Sequence, residues 1–98
     1  MQVYLLHLTY TVSVETLLTH VQEHRDFLGA YYAKSQILMS GMLASKKGGM
    51  IVMKANHESD VHELIKRDPF SLKGLATYEI QVLDVKLYLP LLTDWLKS

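Results

Sequence analysis

The chain contains no cysteine, which excludes disulfide frameworks, thiolate metal sites and cysteine nucleophiles. Any chemistry is left to His, Asp, Glu, Ser, Thr and Tyr. It also lacks net charge, since ten Lys plus Arg offset ten Asp plus Glu, and so offers no broad basic field to phosphate backbones or anionic lipid. Neither nucleic acid nor membrane is an expected partner. No apolar run approaches the roughly 20 residues of a membrane helix, and Met1 to His7 has neither the basic start nor the long apolar stretch of a secretory leader. The expected location is cytoplasmic. What the chain does have is apolar content, 49% of 98 residues against 20% charged, which suits one folded domain over 1–98 with its core in about 2–88 and an apolar tail over 89–98.

Gln2 to Tyr10 is rich in apolar, β-branched and aromatic residues and predicts a first strand. Ser13 is placed to cap a helix with Glu15 in its first turn, and Leu17, Val21, His24, Leu28 and Tyr31 recur at helical spacing to about Lys34. Ile37 to Ser45 and Gly49 to Ala55 read as two strands joined by a hairpin, whose Gly48 and Gly49 would supply positive φ angles. A short helix with Val61, Leu64 and Ile65 on its apolar edge follows, capped by Ser59 or an earlier polar residue. Asp68 before Pro69 interrupts it, and Asp68 can N-cap a new turn that ends at Gly74. Thr77 to Tyr88 is the last strand, and Pro90 opens a short amphipathic segment with Leu91, Leu92, Trp95 and Leu96.

The order βαββαβ, closed by right-handed crossovers, gives an α+β, ferredoxin-like fold: a four-stranded antiparallel sheet with both helices on one face, plus a short C-terminal helix. The other face should then be polar, yet both sides of the strands read apolar: Val3 and Leu5 against Tyr4, Leu6 and Leu8 in the first, Ile37, Met39 and Leu43 against Leu38, Met42 and Ala44 in the second, and Met50 and Val52 against Ile51 and Met53 in the third. An open apolar sheet face exceeds what a monomer usually exposes. The expected cover is a second copy, packed face to face as a homodimer; the alternative is that the tail folds back over its own sheet and seals a monomer.

His24 interrupts the apolar stripe of the first helix, where a histidine serves either as a hydrogen-bonded core residue or as a proton carrier. Asp68 is held at a turn by Pro69, where its carboxylate can cap the next turn or receive an imidazole N–H and fix its tautomer. Together, His24 with Leu28, Gly41, Gly48-Gly49, Asp68-Pro69-Phe70 and Tyr78-Glu79-Ile80 resemble, in this order, the YCII-related family of the dimeric α/β-barrel superfamily. The resemblance spans about residues 2 to 85. It implies a ferredoxin-like protomer, a dimer, and a His–Asp active site at His24 and Asp68. Three features depart from the common pattern: Val21 stands where many members have Arg, Met42 where many have Pro, and the first helix ends in Ala33-Lys34-Ser35-Gln36 where a Gly would be usual.

As a catalytic pair, neutral His24 would take or relay a proton while Asp68 orients it, in isomerase, lyase or dehalogenase-like chemistry on a small molecule without a cofactor. Ser40, Gly41 and Tyr78 are the expected substrate-binding residues. The competing function is a non-catalytic dimer that binds a small apolar ligand or a protein, with His24 and Asp68 a buried structural pair. Metal binding is not expected: His20 and His24 share a helical face, but no third ligand stands at a fixed spacing. RNA binding on the sheet is disfavoured too, because Lys47 to Val52 has a basic start and no aromatic.

Overall fold

The computed structural model describes residues 1–98. Four strands, β1 (Gln2–Tyr10), β2 (Ile37–Met42), β3 (Gly48–Ala55) and β4 (Ala76–Leu83), form one antiparallel sheet in the order β2-β3-β1-β4. This is the ferredoxin-like arrangement that the element order implies. Alternation along β1 turns Tyr4, Leu6 and Leu8 inward, and their cross-strand partners Met53, Ile51 and Gly49 share that face. The helices supply Leu17, Leu28, Val61 and Leu64 to the same core.

The first helical segment differs from the continuous helix that the apolar stripe predicts. It is two helices, α1 (Val14–Leu18) and α2 (Val21–Ala33). Ser13 caps α1 by accepting from the Thr16 N–H. The break follows at Thr19, whose N–H and hydroxyl both turn to the Thr16 carbonyl in place of continuing the α-helical ladder. Since α1 and α2 still present Leu17 and Leu28 to one core, the stripe hides the break. Further on, α3 (Glu58–Arg67) starts at His57 without a side-chain cap; Glu58 and Asp60 open it and Lys66 and Arg67 close it, matching the helix dipole.

The β2–β3 hairpin reaches its geometry by other residues than the paired glycines. Lys46 takes the left-handed conformation at φ +62, whereas Gly48 and Gly49 lie inside β3. Their lack of a side chain serves close approach: a Cβ on Gly48 would stand 2.0 Å from the Leu8 carbonyl oxygen, and one on Gly49 2.7 Å from that of Gly41. β2 ends at Met42, three residues before the predicted limit, and carries an irregularity between Ile37, paired with Met53, and Met39, paired with Val52. Leu38 is the extra residue. Ile37 therefore faces the helices while Met39 faces away, correcting the simple alternation that put the two on one side. β4 likewise stops at Leu83 rather than Tyr88.

The opposite sheet face carries Val3, Leu5, Met50, Val52 and Met39. The tail, a 3-10 turn (Pro90–Leu92) and α5 (Thr93–Lys97), folds back on one end of it. Trp95 Nε1–H donates to the Ser35 carbonyl at 2.8 Å, and the Lys54 ammonium lies 5.0 Å from the indole centroid while donating to the Trp95 carbonyl and the Ser98 hydroxyl. Lys54 and Val3, which pair across the strands, are buried there. Cover stops short of the middle: Leu5, Met50 and Val52 stay half-buried and Met39 is exposed. No helix is long and apolar enough to cross a membrane.

Candidate functional site

Asp68 joins two elements. Its extended backbone, imposed by Pro69, ends α3, and its side chain caps α4 (Pro69–Leu72) by accepting from the Phe70 N–H at 3.1 Å. Gly74, at φ +66, then turns the chain towards β4. The cap leaves the carboxylate wholly buried with two more donors to accept from. His24 Nδ1 lies 2.7 Å from Oδ1, and the Tyr78 hydroxyl donates to Oδ2 at 2.5 Å. Three donors from α2, α4 and β4 thus converge on one side chain, as a buried carboxylate requires.

An ionised carboxylate only accepts, so the proton of neutral His24 sits on Nδ1 and the lone pair on Nε2. The ring lies flat on Phe70, with centroids 3.9 Å apart and planes 2° apart, and Phe70 in turn makes a T-shaped contact with Tyr10. Only 12% of the His24 side chain is exposed. No side-chain hydrogen bond of the chain uses its Nε2, and no buried side-chain polar atom lacks a partner, so Nε2 is reachable from solvent. His24 borders a groove of about 160 Å³ between α2 and the β1–β3–β2 edge, lined also by Tyr10, Arg25, Ser40, Gly41 and Met42.

The expected site residues therefore divide. His24 and Asp68 are directly bonded, and Ser40 and Gly41 line the groove beside His24. Tyr78 touches the carboxylate from behind and does not line the groove. Ser40 is held by a 2.6 Å hydrogen bond with the Tyr32 hydroxyl. His20 turns away from His24 to Glu23, at 2.8 Å, which also receives Lys73 at 2.5 Å; these two partners hold the Glu23 carboxyl below its usual range, through the Lys73 bond first and the His20 bond second. Tyr10 and Arg25 went unrecognised in the sequence. Tyr10 had a signal, because strand parity puts it on the face of Leu6 and Leu8; Arg25 had only its adjacency to His24.

Burial pushes the Tyr78 phenol well above its ordinary value, and the Asp68 charge adds to the effect. The folded state then keeps a proton that the unfolded chain releases above about pH 10, so stability should fall on the alkaline side by about 1.4 kcal/mol per pH unit from this group. Denaturant titrations between about pH 9 and 11 should show a shallower alkaline decline in Tyr78→Phe than in wild type. The phenols of Tyr10 and Tyr31, also raised by burial, contribute in the same direction.

A solved structure of 5-chloro-2-hydroxyhydroquinone dehydrochlorinase from Burkholderia phenoliruptrix AC1100, in complex with 2,5-dihydroxybenzoquinone, is similar to this fold: TM-score 0.68 and 21% identity, covering 86% of this chain and 93% of that one. No curated protein matches the sequence. The YCII-related domain matches residues 1–84, a span that takes in all four strands and the His24–Asp68 bond and leaves the Trp95 tail outside. By that match, the chain belongs to the YCII-related family.

Proposed function

We propose that the chain is a small-molecule enzyme in which His24 moves a proton and Asp68 orients the imidazole and stabilises its charged form. The observation that supports this is the asymmetry of the ring: Nδ1 is bound to a fully buried carboxylate, while Nε2 is unbonded and accessible on a residue that lines the groove. A core histidine placed for packing alone would gain from having both nitrogens engaged or hidden.

In the proposed step, Nε2 takes a proton from a C–H beside a carbonyl, the electron pair of that bond forms a C=C bond, and the carbonyl π pair moves onto oxygen as an enolate. The imidazolium then returns the proton at another atom, which is isomerisation, or the enolate expels a leaving group with its electron pair, which is elimination. The likeness in fold to a dehydrochlorinase bound to a benzoquinone makes hydroxylated quinones, with and without a halogen, the first compounds to try.

With a turned-over compound in hand, His24→Gln should lower kcat by about 10²- to 10⁴-fold with unchanged far-UV circular dichroism. Unchanged turnover in that variant would overturn the assignment and favour the non-catalytic binder.

The working unit in this reading is a homodimer. Leu5, Met50, Val52 and exposed Met39 form a continuous apolar area beyond the reach of the tail, and a second copy is the simplest partner with a matching surface. Light scattering at micromolar concentration should give twice the 11.2 kDa of one chain. A mass of one chain would refute the dimer.

A further inference from the structure

Resting on the groove as a substrate site, we propose that it selects a single planar ring bearing an oxyanion, a carboxylate or phenolate, and that Arg25 supplies the charge that holds it. The lining of the groove contains no Asp, Glu or Lys, and Arg25 is its one permanent charge. Arg25 takes part in none of the ion pairs or side-chain hydrogen bonds of the chain, whereas the chain's other arginine, Arg67, pairs with Glu63 at 3.9 Å. Arg25 is an exposed residue that lines the groove, and a free guanidinium fork matches a planar oxyanion in two parallel hydrogen bonds.

Two further groups fit the same ligand. The Tyr10 hydroxyl makes no hydrogen bond within the chain and is not among buried unpaired atoms, so it too is open to a visitor. A phenol keeps its proton at neutral pH, so this hydroxyl can donate. The groove, at about 160 Å³, is of the size that admits one six-membered ring, since a dry cavity of roughly 150 Å³ takes up benzene. The opposing charge, Asp68, does not line the groove and stands behind the His24 ring, whereas Arg25 lines the groove itself.

The test is amide chemical-shift titration with benzoate and with its neutral isostere benzamide, at low salt, on wild type, Arg25→Gln and Arg25→Lys. Benzoate should shift the groove amides of Met42 and Gly49 and bind about tenfold more tightly than benzamide, a preference that salt reduces. Arg25→Gln should bring the two probes to parity and Arg25→Lys should keep part of the difference. Equal binding of both probes to the wild-type groove overturns the charge selectivity and leaves the substrate site standing. A benzoate preference that survives in Arg25→Gln overturns the role of Arg25. If neither ring moves any groove amide, the inference and the reading of the groove fall together.

Discussion

Phe70→Ala is expected to destabilise the protein by about 3–5 kcal/mol, the range for removing a fully packed aromatic side chain. Phe70 is only 2% exposed and lies at the junction of α4, β1 and α2, with the His24 imidazole on its face and Tyr10 in T-shaped contact. Truncation leaves a cavity beneath the imidazole, and the ring loses the surface that fixes its tilt. Phe70→Leu separates the two effects. It fills most of the volume at a smaller stability cost, yet removes the flat support, so a lower kcat with a folded protein is expected. Thermal denaturation of both variants, read beside their turnover, checks the prediction; equal melting temperatures for Phe70→Ala and wild type would refute it.

Asp68→Ala should cost about 2–4 kcal/mol, because it strands the Phe70 N–H, the Tyr78 hydroxyl and the His24 Nδ1–H inside the protein and removes the cap of α4. Asp68→Asn should behave differently. Its amide oxygen can take the place of Oδ1, accepting from both Phe70 and His24, while its NH₂ group meets the Tyr78 oxygen, which is able to accept. The fold and the imidazole tautomer are then retained at a cost near 1 kcal/mol, but the charge that stabilises an imidazolium is gone. Turnover should fall by a factor on the order of 10² or more. Urea titration measures the first quantity and steady-state kinetics the second. If Asp68→Asn kept full turnover, a role for the carboxylate charge in catalysis would be refuted.

The elements that the sequence displayed best are those where local chemistry and tertiary packing agree. Alternation in β1 separated Tyr4, Leu6 and Leu8 from Val3 and Leu5 without saying which set turns inward, and Asp68-Pro69 announced both the end of one helix and the cap of the next. The His24–Asp68 contact was legible only through the family resemblance, since nothing local says that residues 44 apart will meet. Three features stayed hidden for physical reasons. The break at Thr19 depends on a hydroxyl choosing a carbonyl three residues back, an option open to any helical Thr. The left-handed residue of the hairpin is Lys46, against the intrinsic preference for the glycines beside it, because those glycines are needed where the strands come closest. Arg25 lies about 100° around the helix from His24, off the buried stripe, and only the position of β2 makes a wall of it.

The surplus residue in β2 has a bearing on how the length of this strand can change. Ile37 points to the helices, Met39 away from them and Ser40 back again, with Leu38 unpaired between the first two. Excising Leu38 would join Ile37 to Met39 in ordinary pleated alternation, so every later side chain of β2 would keep its side, Ser40 at the groove included. Excising any residue between Met39 and Met42 would invert those preceding or following it. The strand therefore tolerates a one-residue deletion at a single point, and variants of different length in this segment can share one groove.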